Sequence, residues 1–503
     1  MTVKKEYGDY QTPEFFSTAV CNYLKNIRGL APKIIIEPTC GKGSFIKSSL
    51  MFDANKIIGI DINPEYCDFC RKEINDTRVN IINSNAFTFD YKQYIKNNEN
   101  LLAIGNPPWV NNSTLSNLHS NNIPIKKNFK SLKGIDALTG SSNFDICEYI
   151  LLQLINSLKN TNSTIAMLCK ISVAKNVFIE LHRNKISFKA FDILEFNANK
   201  VFGINANACL LVIDLSKDIV NSQVCNVYSF NEPYLVKYFF GFKENKLYSN
   251  LSKITNDFSG HCCFEWRQGI KHDCAKIMEL SFRDNKFING FKNIVDIEND
   301  YIYPLIKSSM FKYPIINKFT KYVIVTQQKV KEDTTHISKD APKTWKYLVE
   351  NKHYFDKRKS SIYKGAPEFS IFGIGNYSYE EYKVGVSGFY KKPLFSLLTV
   401  NAGKPIMTDD TSYFICFPTY NTAYTAMLIL NSDKVQEFLL SIAFLDAKRP
   451  FTKKVLERID FSKILQTISA NELIETERKL SLNKYFKKDF LLNFKTLVEN
   501  TSE

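Results

Sequence analysis

The chain has 503 residues, of which 44% are hydrophobic and 23% are charged. These values are typical of a folded protein with two or three domains and exclude an extensively disordered one. No run approaches eighteen consecutive apolar residues, and the N-terminus lacks an apolar leader segment, so we expect neither a membrane span nor secretion. Twelve scattered cysteines favour a reduced, cytoplasmic protein over a disulfide framework.

The net charge is +15, and the excess of basic residues is spread over both halves of the chain. Such an excess favours a polyanionic partner, most often nucleic acid. A solvated, lysine-rich surface explains the charge equally well, so the charge alone does not choose between the two.

Strands and helices alternate through the first half. Helices are predicted over 13–27, 39–51, 63–74 and 144–159. Apolar, often β-branched runs predict strands over 33–38, 56–62, 79–87, 101–105, 163–170, 190–196 and 207–215. This order predicts a doubly wound, mainly parallel, Rossmann-like α/β sheet in residues 1–245. From residue 246 onward the alternation fades, and we predict a mixed α+β domain over 246–503.

Unusual residues follow four of the predicted strands. The first strand leads to Glu37, Gly41 and Gly43, and the next three lead to Asp61, Asn85 and Asn106. In a doubly wound sheet the ligand lies beyond the carboxyl ends of the strands. We therefore expect these residues to line one crevice.

The segment EPTCGKGSF fits neither the G-x-G-x-x-G dinucleotide motif nor the Walker phosphate loop. Glu37 beside its glycine turn suits a cationic group such as an amine, and Asp61 is placed to accept hydrogen bonds from ribose hydroxyls. A ligand with an amino-acid end and a ribose but no phosphate indicates S-adenosylmethionine. Each feature alone is also compatible with an ordinary turn glycine or a solvated loop acid.

The segment NPPW, residues 106–109, follows a buried apolar run. Pro107 has no N–H and ends strand pairing, and Pro108 stiffens the exit from the strand. The result is a rigid corner that carries one amide, one carbonyl and one aromatic plane, as a binding pocket would.

The motifs QTPEFFSTAV, EPTCGKGSF, GIDINP, NPPW, FDICEYIL and VFGINANACLLVI follow one another in this order. In the identity and order of these motifs, residues 10–215 resemble the gamma-class adenine-N6 DNA methyltransferases of restriction–modification systems. The resemblance implies a catalytic domain over 1–245, a DNA target-recognition domain over 246–503 and S-adenosylmethionine as cofactor. It implies that the cofactor is surrounded by Thr12, Pro13, Glu37, Thr39, Gly41, Gly43, Asp61, Ile62, Asn85 and Phe87. Asn85 stands where the family usually has aspartate.

The same resemblance assigns the catalytic corner to Asn106, Pro107, Pro108 and Trp109. The Asn106 side-chain oxygen and the Pro107 carbonyl would hold the amine of an adenine that is flipped out of the duplex. Trp109 and Phe202 would stack on the two faces of that base. Core packing is the alternative role for both rings. The polar run 110–122 is predicted to be a mobile loop that closes over the target.

Basic and aromatic residues interleave in the second half, which suits contacts to a DNA backbone. The candidates for these contacts are Arg267, Lys271, Lys307, Lys312, Lys357 and Arg358. An idle surface position is the alternative for each of them.

We expect no metal site. Cys67 and Cys70 form one C-x-x-C pair without a second pair, which favours buried thiols. The cluster of His261, Cys262, Cys263, His272 and Cys274 matches no standard zinc spacing.

The sequence therefore predicts a monomeric enzyme that transfers a methyl group from S-adenosylmethionine to N6 of adenine in double-stranded DNA. The first motif begins at residue 11, so we expect any cognate restriction endonuclease to be a separate protein. Two alternatives remain. The same corner could methylate an RNA adenine or a protein glutamine amide, or the fold could serve only as a DNA-binding specificity module.

Overall fold

The computed structural model describes residues 11–94, 100–110, 145–218 and 222–502, and the chain forms two compact units, Met1–Ser252 and Lys253–Glu503. The predicted boundary after residue 245 falls inside the first unit, because the strand Lys246–Tyr248 pairs with the strand before it. The loop predicted over 110–122 lies outside the described residues, except for the buried Val110.

Ten strands of the first unit join in one sheet. They are β1 Ile34–Glu37, β2 Lys56–Asp61, β3 Val79–Asn83, β4 Leu101–Gly105, β5 Thr164–Lys170, β6 Phe188–Asn197, β7 Asn207–Leu215, β8 Val224–Ser229, β9 Glu232–Lys243 and β10 Lys246–Tyr248. The helices between them are α1 Glu14–Asn22, which continues as a π-helical turn over Tyr23–Ile27, α2 Ser44–Ser49, α3 Pro64–Glu73, α4 Ile146–Leu158, α5 Ile171–Arg183 and α6 Ala198–Phe202.

The strand order of this sheet is β3-β2-β1-β4-β5-β7-β6-β8-β9-β10. The pairs among β1 to β5 are parallel, as predicted, whereas β7 runs antiparallel to both β5 and β6, and β9 antiparallel to β8. The order reverses at β1, whose neighbours are β2 on one side and β4 on the other. A doubly wound sheet opens its ligand crevice at this reversal, above the carboxyl ends of β1 and β4.

The central strands are apolar because both of their faces are covered. All four residues of β1 and all five of β4 are buried, as expected for strands in the middle of a parallel sheet. On the side of the glycine turn, α1 packs on α2 through a 2.8 Å hydrogen bond between the Ser17 and Ser48 hydroxyls. Small side chains at this contact bring the two helices close together.

The second unit contains two smaller sheets. The strands are β11 Arg267–Gln268, β12 Glu279–Arg283, β13 Lys286–Ile288, β14 Ile294–Val295, β15 Ile302–Ile306, β16 Ile315–Ile316, β17 Tyr322–Ile324, β18 Tyr382–Ser387, β19 Ser396–Leu398, β20 Met407–Thr408 and β21 Ser412–Phe417. Their orders are β11-β21-β18-β19-β16 and β14-β13-β12-β17-β15-β20.

Helices pack around these sheets and form the C-terminal end of the unit. They are α7 Ala275–Met278, α8 Ile337–Asp340, α9 Pro342–Glu350, α10 Lys352–Asp356, α11 Tyr420–Asn431, α12 Asp433–Ile442, α13 Lys453–Leu456, α14 Phe461–Thr467, α15 Ala470–Lys479 and α16 Lys488–Ser502. This unit mixes helices with mostly antiparallel strands.

Within the described ranges, no helix is long and apolar enough to cross a membrane. No group of three or more His, Cys, Asp or Glu side chains that could hold a metal ion occurs among the residues that the structure describes. All twelve cysteines are free thiols, and only Cys263 and Cys416 are not fully buried.

A buried lysine lies in the core of the second unit. Lys383 on β18 is 1% exposed, and its ammonium donates to the carbonyls of Ser378 at 2.7 Å and Ile406 at 2.8 Å. Burial lowers the pKa of Lys383 to about 8. The cation therefore bridges two backbone segments at a cost in desolvation.

We predict that Lys383 makes the stability of the protein depend on pH. Its folded pKa lies below that of a solvated lysine, so the unfolded chain binds more protons above pH 8 and the folded state gains stability as the pH rises. The free energy of unfolding of the wild type, measured in urea, should rise relative to that of Lys383→Met between pH 8 and about 9.5. The control Lys392→Met, which replaces an exposed lysine, should show no such trend. If the difference in the free energy of unfolding between the wild type and Lys383→Met did not depend on pH, the prediction would be contradicted.

Candidate active site

The glycine loop after β1 is held by the carboxylate that ends β2. Asp61 accepts a hydrogen bond from the Gly41 N–H at 2.8 Å through one oxygen and from the Asn63 N–H at 2.8 Å through the other. The carboxylate thus ties the loop after β1 to the loop after β2. Its side chain remains partly exposed, so it can also accept from a ligand.

Gly43 is a position where the backbone requires glycine. Its φ is +79°, and a Cβ built there would lie 2.9 Å from Cδ1 of Ile74 and 3.0 Å from Sγ of Cys70. The Cys70 thiol in turn donates to the Gly41 carbonyl at 3.3 Å. Cys67 and Cys70 are both fully buried, so the C-x-x-C pair packs α3 against the loop, in agreement with the prediction of buried thiols.

The first motif lies beside the same loop. The Gln11 side chain accepts from the Lys42 N–H at 3.0 Å, and a Cβ on Gly41 would meet it at 2.8 Å. Thr12 is buried, and Pro13 precedes the first turn of α1. The structure therefore brings the segment 11–13 and the glycine loop together.

Glu37, at the end of β1, is a buried acid. It is 2% exposed, and its Oε2 has no hydrogen-bond partner among the described residues; the same holds for the buried hydroxyl of Thr39. Burial, with contributions from Cys70 and Asp61, raises the pKa of Glu37 well above its usual value. Two acids that interact electrostatically, one of them with an unpartnered buried oxygen, favour a cationic ligand group.

The corner after β4 lies directly against this acid. A Cβ on Gly105 would be 3.2 Å from Cγ of Glu37, and Asn106 is the next residue. The side-chain oxygen of Asn106 is buried, and so is Pro107. The structure therefore brings Glu37 and the NPPW corner side by side.

Lys170 fixes the backbone of the corner, a role that was not predicted from the sequence. Its ammonium donates to the Trp109 carbonyl at 3.3 Å and to the Asp145 carboxylate at 2.7 Å. The Trp109 indole N–H donates to the Leu168 carbonyl at 3.3 Å. Lys170 ends β5, so the strand-end rule that found Asn106 would have found it as well.

The structure places Trp109 and Phe202 together, as an aromatic pair. Their ring centroids are 5.6 Å apart with an interplanar angle of 73°, and Phe202 also contacts Phe16 and Phe196. The two rings meet edge to face, so a base can lie between two parallel faces only after one ring turns. Both rings pack on the core of the sheet in this arrangement.

The remaining predicted cofactor residues lie on the loops after β2 and β3. Ile62 is 40% exposed, and the Asn83 amide holds its carbonyl at 3.1 Å. The Asn85 side chain accepts from the Phe87 N–H at 2.9 Å, which fixes the turn. Phe87 is buried against Tyr149, with ring centroids 5.3 Å apart. Ile62 thus offers an apolar surface to a ligand, whereas Phe87 contributes to the wall behind the turn.

The basic residues predicted to contact DNA differ in their surroundings. Lys307 forms an ion pair with Glu279 at 2.7 Å, and Lys271 forms one with Asp273 at 3.5 Å. Arg267 forms an ion pair with Glu265, and its guanidinium lies 4.4 Å from the centre of the Tyr377 ring. Arg358 donates to the Ser370 carbonyl and lies 3.8 Å from the centre of the Tyr363 ring. Lys312 and Lys357 are exposed. The last two are the most exposed of the six, whereas the other four are engaged in ion pairs or hydrogen bonds within the protein.

The sheet order, with its reversal at β1, defines a doubly wound α/β fold, the architecture of S-adenosylmethionine-dependent methyltransferases. No family model matches the chain. The chain is 38% identical over 475 residues to the type II methyltransferase M.NspV of Nostoc sp. (strain ATCC 29411 / PCC 7524), across 92% of this chain and 98% of the relative. It therefore belongs to the type II methyltransferases, and S-adenosylmethionine is its cofactor.

A solved structure supports the fold. The type IIL restriction-modification enzyme MmeI, determined in complex with DNA, aligns with a TM-score of 0.51 over 97% of this chain and 75% of MmeI. The two sequences are 12% identical, so the likeness concerns the fold.

We predict that Gly43→Ala impairs cofactor binding, whereas Gly203→Ala does not. Both glycines have positive φ, +79° and +69°, so both alanines carry a backbone cost of about 1–2 kcal/mol. Only at position 43 does the added Cβ also collide with side chains, since nothing lies within 4 Å of the one at position 203. Titration calorimetry with S-adenosylmethionine should show weaker binding for Gly43→Ala alone. Equal affinity of the two variants would contradict this account of the loop.

Proposed function

We propose that this protein transfers the methyl group of S-adenosylmethionine to N6 of adenine in double-stranded DNA, as the modification enzyme of a restriction–modification system. The observation that carries the proposal is the position of the Asn106–Pro107 corner at the end of β4, against the buried Glu37. The donor site and the acceptor site then share one crevice.

The described residues fit the cofactor in charge and polarity. Glu37 and Thr39 offer buried oxygens to its amino-acid end, Asp61 offers a carboxylate to the ribose, and Ile62 offers an exposed apolar side chain to the adenine ring. Asn85 lies on the next loop, where its fixed amide can bind the edge of that ring. When bound, S-adenosylmethionine supplies an electrophilic methyl group on a sulfonium.

The corner suits a planar amine as the methyl acceptor. The lone pair of such an amine is delocalised into the ring, so the nitrogen is a weak nucleophile. The Asn106 oxygen and the Pro107 carbonyl can each accept a hydrogen bond from one of its N–H groups and turn the lone pair toward the donor. As the new N–C bond forms, the S–C bond of the sulfonium breaks and leaves a neutral thioether, and the methylated nitrogen then loses one proton to water. This is catalysis by orientation and by preorganised hydrogen bonds, and it uses no covalent intermediate.

Three observations support double-stranded DNA as the substrate. The relative is a type II methyltransferase, the similarly folded MmeI was determined with DNA, and this chain carries a net charge of +15. The second unit, Lys253–Glu503, is large enough to select a target sequence. An adenine within a duplex must leave the stack to reach the corner. Trp109 and Phe202 are the rings that can receive it.

We predict that the wild type, incubated with labelled S-adenosylmethionine and plasmid DNA, forms N6-methyladenine, identified by nucleoside mass spectrometry. Asn106→Ala should lower the rate by at least about a hundredfold, because it removes one of two acceptors that act in the transition state. Cofactor affinity should stay the same, since the substitution leaves Glu37 and Asp61 in place. Transfer to RNA or to a protein amide, with none to DNA, would overturn the proposal, and so would DNA binding without transfer.

We predict that S-adenosylmethionine binding releases a proton from Glu37. The pKa of this acid is raised in the free protein, and a cation beside it lowers that pKa, so affinity should increase with pH up to the free pKa. Calorimetry in buffers of different ionisation enthalpy measures the released proton. Glu37→Gln should abolish the release and weaken binding by about tenfold. If Glu37→Gln released as many protons on cofactor binding as the wild type, the cationic group of the cofactor would not lie beside residue 37.

A further inference from the structure

An exposed apolar strip lies at the start of β9. Tyr234 is 79% exposed, Leu235 67% and Val236 40%. Three large apolar side chains in succession at such exposure are uncommon on a surface that contacts only water. We call residues 233–236 the β9 strip.

The register between β8 and β9 leaves part of this strip unpaired. Ser229 of β8 pairs with Glu232 and Tyr228 pairs with Val236. Three residues of β9 between these pairs, Pro233 to Leu235, therefore have no counterpart on β8. A bulge of this kind redirects side chains away from the ladder, often next to a functional site.

The direction of the strands places the strip at the edge of the sheet that carries the active site. β6 runs antiparallel to β7, which runs antiparallel to β5, so β6 and β5 end at the same edge. β8 is parallel to β6, and β9 starts where β8 ends. The β9 strip is therefore on the same edge as Asn106, on the side beyond Phe202.

A row of aromatic contacts connects the turn before the strip with the corner. The ring of Phe230 lies 5.2 Å from that of Phe16, Phe16 lies 6.4 Å from Phe202, and Phe202 lies 5.6 Å from Trp109. Lys237, just after the strip, forms an ion pair with Glu195 near the end of β6. The β9 strip therefore follows a turn that packs, through Phe230 and Phe16, against Phe202.

A duplex that delivers an adenine to Asn106 approaches the edge at which β4 ends, and the β9 strip lies on the same edge. When a base leaves the stack, its neighbours lose a stacking partner, and apolar or aromatic side chains can take its place. Asn197, which caps α6, and Asn199 and Lys200 in its first turn are all exposed and lie at the same edge, at the end of β6. They offer hydrogen-bond donors and a positive charge to the sugar–phosphate backbone beside the strip.

We propose that the β9 strip packs against the duplex at the base step that the extruded adenine leaves, and so lowers the cost of extrusion. Tyr234 and Leu235 are the residues that make this contact. The inference rests on the proposed function, because it requires a DNA substrate.

The test uses single-turnover methylation of two duplexes that contain the sequence modified in plasmid DNA. One duplex is fully paired, and in the other an abasic residue lies opposite the target adenine, which makes extrusion easier. The double variant Tyr234→Ala/Leu235→Ser should methylate the paired duplex at least about tenfold more slowly than the wild type. It should methylate the abasic duplex within about twofold of the wild-type rate.

Two control variants isolate the role of the strip. Tyr234→Phe keeps the ring and should behave as the wild type. Leu492→Ser removes a leucine of equal exposure, 66% against 67% for Leu235, from α16 in the second unit, and should leave both rates unchanged. Because all these side chains are exposed, the unfolding temperature should not change.

Three results would overturn the inference. The double variant could methylate the paired duplex at the wild-type rate, or lose activity equally on both duplexes. Sedimentation could show that the strip joins two copies of the chain, with no change in methylation. If the wild type methylates neither duplex, the proposed function itself fails, and that outcome differs from a loss confined to the variant.

Discussion

The contact between Glu37 and the end of β4 is the constraint on which the site depends. Strands β1 and β4 are neighbours at the reversal of strand order, so their carboxyl ends meet. Gly105 has no side chain, and the Glu37 carboxyl therefore lies against the backbone just before Asn106. The buried acid and the NPPW corner, to which we assign the cationic group and the acceptor amine, are thus placed side by side by strand pairing alone.

The loops around this contact are held from several directions. Asp61 binds the glycine loop, Cys70 binds it from α3, and Gln11 binds it from the first motif. On the other side, Lys170 links the corner to Asp145 at the start of α4. The glycine loop and the corner are thus each fixed by hydrogen bonds from neighbouring elements. A preorganised site of this kind avoids reorganisation during the reaction.

Much of the fold and the site could be predicted from the sequence because local rules cover them. Buried β-branched runs predict central strands, and polar residues at strand ends predict the crevice. The spacing of apolar residues and the amino-acid composition do not encode the direction of a strand, so the antiparallel orientation of β7 was not predicted. The geometry of contacts between side chains that are distant in sequence depends on the tertiary structure. The structure was therefore needed to find the edge-to-face contact of Trp109 with Phe202. It was also needed to find the partners of Lys307 and Arg358.

A crystal structure of the protein with bound S-adenosylmethionine tests the central claim most directly. The account predicts that the amino group of the cofactor contacts the Glu37 carboxylate and that its methyl group faces the Asn106 oxygen. A cofactor whose amino group lies away from Glu37, or whose methyl group is directed away from the corner, would contradict it.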